Sequence, residues 1–430
     1  MKFFRLNVLL IFLLLTFSSA ITSADYIPRI NTNYFSIELQ DIIFIFIFIF
    51  ILIKFRKNNF HYDLDLLMRI YALICLLSFI FSILRGSLLI NAIRQFIIAI
   101  NSLFFYYIVI FIKNKYKKAD EIIIKRVLLV ALISSVIIML QYIFISKGLN
   151  IYIVNKDFIK ERLSGIYSIR TPAQDLLLVS TLLIISYHFL EKRLKIINLG
   201  RLSIFYSVIV LIGFFLQLAR HQFVALVIFF LFIIISNISK LRFKTIIFLL
   251  LFVLILSIYI IMPYNDELKE WYLGYLKKDY YDLSLEHRKI EYKYAIESLI
   301  KNPFLGVGLG GNYRPFGSIF DDLYYDVNKT YDYVGTYYIH NALLWWAVDT
   351  GIIGIIFIII IFIKIYKKIK NNNINYIISL IIFSYMIASL GAPMWMASTS
   401  SSAILGILLG LVSEIKKRNN EEQQIYENTY

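Results

Sequence analysis

"HNALLWWAVDTGIIGIIFIIIIFI", residues 340–363, decides the fold. A polar pair, His340-Asn341, opens it, and from Ala342 onward the run is apolar except at Asp349, Thr350 and two glycines. It is long enough for the roughly 20 residues with which a helix crosses a bilayer. At about 100° per residue, Gly351 and Gly354 return to the face of His340, while Asp349 points away. Similar runs recur along the chain, among them "IIFIFIFIFILI" at 42–53 and "IIFLLLFVLILSIYIIM" at 246–262. The Ile/Phe alternation of the first has a strand's period, but its length and its basic exit, "KFRKNN", favour a helix. Sixty per cent of the 430 residues are hydrophobic. The mean hydropathy is +0.73, more apolar than one soluble core of this size could cover.

The chain therefore reads as an all-α, polytopic helical membrane protein. Spans are expected at 38–54, 65–84, 88–112, 127–146, 172–189, 203–219, 221–237, 243–262, 341–363, 375–392 and 396–413. With the N-terminal apolar segment, "MKFFRLNVLLIFLLLTFSSAITSA", the count is about twelve, or eleven if that segment is a cleaved signal peptide. The parts are an N-terminal bundle over 1–262, a large outer loop over 263–340, three C-terminal spans over 341–413 and a polar cytoplasmic tail over 414–430. That outer loop falls between the fourth-last and third-last spans.

A net charge of +16 raises the question of nucleic acid. Its placement excludes that partner, because the basic residues gather in short alternate loops, as the positive-inside rule requires. "KFRKNN", "KNKYKKADEIIIKR", "EKRLK", "SKLRFK", "KIYKKIK" and "EIKKR" all fall on the inner side. One cysteine, Cys75, permits no internal disulfide. No metal site is expected: "DDLYYD" at 321–326 reads as a solvated acidic loop, and the Asp63/Asp65 pair as two residues of an inner loop. Arg69, Arg94, Asp175 and Asp349 lie at or near membrane depth, where ionisable groups face the bundle interior.

Polar chemistry concentrates outside. The outer loop 147–171 is basic against the charge rule and carries Arg162 and Arg170. Arg220 and His221 mark a tight outer hairpin between two spans. Arg288 lies on an amphipathic stretch, "SLEHRKIEYKYAIESLIKNP", ended by Pro303 and followed by the glycine turn "FLGVGLGG". His340 stands where that loop re-enters the membrane. Topology thus brings several arginines and two histidines to one face.

These residues, in this order, resemble the O-antigen ligase and polymerase family of bacterial membrane glycosyltransferases. The strongest patch is His340-Asn341 followed by Gly351 and Gly354, at the family's spacing. The outer-hairpin arginine is Arg220, although the family's leucine four positions on is here Val224. "R…NPFLGVGLGG", from Arg288 through Gly306 and Gly308, and "RLSGIYSIRTPAQ" complete the likeness.

The resemblance implies transfer of a glycan from an undecaprenyl-diphosphate carrier to a lipid or glycan hydroxyl acceptor. The reaction would run at the outer face of the bacterial plasma (inner) membrane, without cofactor or metal, and invert the anomeric centre. Arg220 and Arg288 would stabilise the leaving diphosphate. His340 would take the acceptor's proton, a role suited to a side chain that titrates near neutrality. Arg162, Arg170, Asn341 and His221 would bind diphosphate or glycan. Gly351, Gly354, Gly306 and Gly308 would be structural, the first two admitting a neighbouring helix. Ligase-like chemistry is the leading expectation and a polysaccharide polymerase the alternative. A lipid-linked glycan transporter is the rival from another class; it would show related halves and helices broken at mid-membrane.

Overall fold

The computed structural model describes residues 29–32, 35–38, 62–116, 118–154, 159–163, 166–169, 171, 173–189, 203–217, 220–237, 283–314, 339–369, 374–392 and 394–414. The N-terminal apolar segment, the expected spans 38–54 and 243–262, "DDLYYD", Arg170 and most of the tail lie outside the described residues.

Helices dominate, in the order α1 (Asp65–Leu84), α2 (Leu89–Lys115), α3 (Ala119–Ser146), α4 (Gln174–Phe189), α5 (Ser203–Leu216), α6 (Arg220–Asn237), α7 (Leu283–Lys301), α8 (Ala342–Ile369), α9 (Ile374–Ala388), α10 (Met394–Ala397) and α11 (Thr399–Val412). Four of them, α1, α2, α3 and α8, are long and apolar enough to cross a membrane. Their exposed side chains are apolar too. Ile352, Ile356, Ile359 and Ile363 stand out along α8, and Leu66, Leu73, Leu77 and Leu84 along α1. In water such stripes would be unfavourable by about 25 cal/mol per Å²; against lipid they cost little.

Where helices and expected spans differ, polar residues account for it. α3 starts eight residues before the span expected at 127–146, because Glu121 and Lys125 pair one turn apart at 2.7 Å and carry the helix out of its apolar part. The last expected span divides into α10 and α11. Ser398 caps α11 by accepting from the Ser401 amide at 3.2 Å, which restarts the helix.

Two short antiparallel hairpins accompany the helices. One is β1 (Arg29–Thr32) with β2 (Phe35–Glu38), and the other is β3 (Ile159–Leu163) with β4 (Ile166–Ile169). The second follows from β-branched residues on both sides of a Ser164-Gly165 turn signal. Gln141 of α3 holds the chain leading to it, accepting from the Ile153 and Val154 amides at 2.6 and 3.0 Å.

The core joins α2 to α11, which pack more extensively than any other described pair. A side chain on Gly406 would overlap the Ser102 carbonyl, and one on Gly410 would meet Val109. Close helix approach through small residues is the usual device inside a membrane. α8 packs on α1, α7, α9 and α10, with Trp345, Trp346 and Trp395 buried between them. Tyr71 of α1 stacks on Trp346 and Phe357 of α8, with ring centres 5.3 and 5.5 Å apart.

At one end of the bundle basic residues from two of the expected inner loops, Lys113 and Lys368, come together. Lys368 pairs with Asp63 at 2.6 Å and donates to the Val412 carbonyl at 2.8 Å. Lys113 donates to the Leu411 and Ser413 carbonyls and pairs with Asp120 at 3.4 Å. Asp63 also accepts from the Glu414 amide at 2.9 Å. Lysines thereby cap the C-terminal carbonyls of α11, as the helix dipole favours, and Asp63 acts here as a structural joint. Arg69 differs from expectation: it is exposed at this end and paired with Asp65 at 2.9 Å. Arg94 is exposed as well. Asp175 and Asp349 are buried as expected, and Asp175 accepts from the Tyr385 hydroxyl at 2.9 Å.

Candidate active site at the opposite end

α7 carries Arg288 and Glu291. Its sequence mixes good helix formers with few β-branched residues, and it stops at Lys301 because Pro303 cannot extend it. Glu291, Ala295 and Ser298 form the buried face, directed at α8, while Lys289, Lys293 and Lys301 are exposed.

Beyond Pro303 the glycine segment docks onto α8. The Val307 amide donates to the Val348 carbonyl at 2.8 Å, the Gly308 amide to the Asp349 carbonyl at 3.0 Å, and the Ile352 amide to the Pro303 carbonyl at 2.7 Å. These bonds take groups on α8 that an unbroken helix would use itself. α8 is accordingly interrupted at Gly351, whose φ is +66°. Only glycine adopts that conformation at no steric cost. A side chain there would also run into the Phe304 carbonyl, and one at Gly306 into that of Val348. The glycines of the two motifs therefore serve one purpose, to let loop and kink interlock. At Gly351 the neighbour is this loop and not the expected helix, and the kink breaks the straight-helix stripe from His340 to Gly354. At Gly354 the space is filled from within α8, by Thr350 and by Trp346, whose indole donates to the Gly354 carbonyl at 3.1 Å.

His340 and Asn341 precede α8. Asn341 caps it, its side-chain oxygen accepting from the Leu344 amide at 2.9 Å. The Ala342 amide, donating to the Ser389 and Ala392 carbonyls at 3.0 and 3.2 Å, ties this start to the end of α9. His340 is thus held on a fixed helix end, with its side chain 31% exposed.

Its partner is Glu291. The His340 Nδ1 lies 3.0 and 3.2 Å from the two carboxylate oxygens, and the His340 amide donates to Oε2 at 3.2 Å. Glu291 is 2% exposed, so water competes little for these bonds. A carboxylate only accepts, so Nδ1 must carry the hydrogen, which leaves Nε2 as the basic nitrogen. This is the orienting arrangement that acyl-transfer triads use for their histidine.

Arg288 stands one turn before Glu291 on α7, and its Nε is buried without a hydrogen-bond partner among the described residues. Tyr292 responds to both charges: burial and Glu291 raise its pKa, and Arg288 opposes the shift. Tyr313, beyond the glycines, is raised chiefly by burial and further by Glu291, while Arg314 opposes. Arg288, Glu291, His340, Tyr313 and Arg314 thus form one electrostatic unit built from α7, the glycine segment and the entrance to α8.

Arg288 and His340 are legible in the sequence, but Glu291 is not. The glutamate sits in the stretch read for Arg288, three positions on, yet 49 residues separate it from His340 and only the folded chain shows the pair. The other expected residues stand elsewhere. Arg220 opens α6, which packs on α4 and α9, and His221 beside it is half-buried. Arg162 occupies the irregular position of the β3–β4 hairpin, between Glu161 and Leu163, on a hairpin that packs against α3 and α5.

Residues 205–359 match the family model described as O-antigen ligase. The resemblance to the O-antigen ligase family holds over this segment. It contains Arg220, Arg288, Glu291, His340, Gly351 and Gly354, and leaves Arg162 and Arg170 outside. No curated protein matches the chain significantly.

Proposed function

We propose that this O-antigen ligase-like protein transfers a glycan from an undecaprenyl-diphosphate carrier to a hydroxyl acceptor at the outer face of the bacterial plasma membrane. The observation that carries the reading is the Glu291–His340 pair with Arg288 one helical turn away, inside the segment that matches the ligase family. His340 Nε2 removes the proton of the acceptor hydroxyl as its oxygen attacks the anomeric carbon. The bond from that carbon to the carrier's phosphate oxygen breaks on the opposite side, and its electron pair leaves with the diphosphate. One bond forms as one breaks, so the anomeric centre inverts. Glu291 stabilises the imidazolium that results. Arg288 meets the charge growing on the leaving diphosphate, with Arg220 as the second cation. Arg162, Arg170 and His221 are assigned to the carrier's diphosphate or glycan. Arginines acting in this way make the reaction metal-independent.

Sidedness is part of the proposal. The end rich in lysine contacts is placed inside by the charge rule, which puts His340 outside. About twelve spans, with the 263–340 loop on the outer side, complete the topology.

The test is transfer by membranes carrying the protein, supplied with labelled undecaprenyl-diphosphate repeat units. Label moving onto a separate acceptor, dependent on His340, is the expected result. A lengthening lipid-linked ladder would instead identify a polymerase, and absence of any His340-dependent transfer would remove the reading.

A further inference from the structure

Further along α7 from Glu291 lies a separate open cavity of about 350 Å³. That is within the range of roughly 300–1,000 Å³ typical of small-ligand sites. Its walls come from the α1–α2 turn (Arg85, Ser87), from α7 (Tyr294, Glu297, Asn302) and from Tyr313 after the glycines. Nothing in the mechanism above uses it.

Its position follows from helix geometry. Ser298, also on its wall, is seven residues beyond Glu291. At about 1.5 Å and 100° per residue it stands roughly 10 Å along α7 on nearly the same line. Tyr313 links the two places, since it lines the cavity and is within electrostatic reach of Glu291. Ser298 on the cavity wall therefore stands about two helical turns from the carboxylate that holds the reacting histidine.

Its chemistry is equally specific. Hydroxyl, amide and phenol groups line it, and Val307 is its one aliphatic lining residue among the described residues. An acyl or prenyl chain would find little apolar surface. A phosphate would meet Arg85 and Lys301 but also the carboxylate of Glu297. A sugar ring suits the mixture, because its hydroxyls both donate and accept and its C–H face packs on tyrosine. Arg85 is held in place on this wall. It donates to the Asn302 side chain and to the Gly306 carbonyl at 3.1 Å, and lies 4.3 Å over the Phe81 ring.

We propose that this cavity is a carbohydrate subsite, which holds a sugar residue of the glycan away from the reacting bond and so sets which glycan is transferred. The proposal rests on the reading of His340 as the transferring centre, but its binding test does not.

The probe is the oligosaccharide repeat unit released from its lipid by mild acid, with no diphosphate attached. Its binding to the purified full-length protein in nanodiscs is followed by saturation-transfer NMR. The wild type and His340→Ala should bind it alike. Ser87→Trp, which fills the cavity, and Tyr294→Ala should weaken binding at least fivefold. Tyr294→Phe, a milder change that keeps the ring, should fall between. In transfer assays the two stronger variants should raise KM for the glycan at least fivefold with kcat within about twofold of wild type. Equal binding by wild type and cavity variants, or no binding by the wild type, would overturn the subsite. Loss of binding in the cavity variants together with full transfer by His340→Ala would keep the subsite and remove the chemistry proposed for His340.

Discussion

The two ends of the bundle use charge in opposite ways. At the lysine-rich end, Lys368 and Asp63 are tied to each other and to the backbone, and Lys113 is bound to the last carbonyls of α11. At the other end a glutamate is almost wholly buried to hold a histidine that remains 31% exposed, beside an arginine whose Nε has no hydrogen-bond partner among the described residues. Burying charge is unfavourable unless the partners are good, and the first arrangement offsets that penalty with structural contacts. The second accepts it in order to orient one imidazole at an accessible surface. Charges that satisfy each other build a structure, whereas charges left partly unsatisfied await a ligand.

Substitutions can break this contrast. The largest effect is expected at His340: replacement by alanine should lower transfer per folded molecule about 10²- to 10⁴-fold, the usual share of a general base. Glu291→Gln should cost less, because the amide can still meet the ring but cannot balance its positive charge. Its loss should appear in kcat and leave KM for the carrier nearly constant. Arg288→Ala should lower kcat about 10²- to 10³-fold, as losing one donor to a developing anion does. Arg288→Lys should recover only part, since lysine lacks the bidentate fork.

Lys368→Met should do the reverse, destabilising the protein by roughly 1–3 kcal/mol by leaving Asp63 without its cation. Transfer per folded molecule should stay unchanged. The smallest effect is expected at Asn341. Removing its cap with alanine should cost about 1 kcal/mol, and aspartate, an equal cap, should restore stability. If Asn341→Asp is as stable as wild type yet fails in transfer, Asn341 contacts substrate as well.

Nine of the expected spans have counterparts among the described helices because their signal is local: apolar length, basic ends and little else. The lysine-rich end was legible for the same reason, since the charge rule collects those loops on one side. The candidate site was legible only in part. His340 and the glycines carry a spacing that a single helix explains, but the explanation changes on folding. Gly351 breaks the helix it was expected to line, because amides of the Pro303–Gly308 segment claim the Val348 and Asp349 carbonyls and the Pro303 carbonyl accepts from Ile352. Asn341, read as a binding residue, closes the helix end. Glu291 could not be assigned at all, since nothing local separates an orienting carboxylate from the other acidic residues of a charged helix. Arg162 was found by charge, while its place in a β-hairpin depends on a short pairing that the surrounding helical pattern hides.

On this reading, function lies at the Glu291–His340 end and architecture at the Lys368–Asp63 end. The most direct test measures transfer and thermal unfolding of His340→Ala and Lys368→Met side by side in nanodiscs. Counted per folded molecule, His340→Ala should transfer almost nothing, while Lys368→Met should transfer normally. Both should melt lower than wild type, His340→Ala because Glu291 loses its imidazole partner. Substantial transfer by His340→Ala, or a loss of transfer in Lys368→Met beyond its loss of folded protein, would contradict the claim.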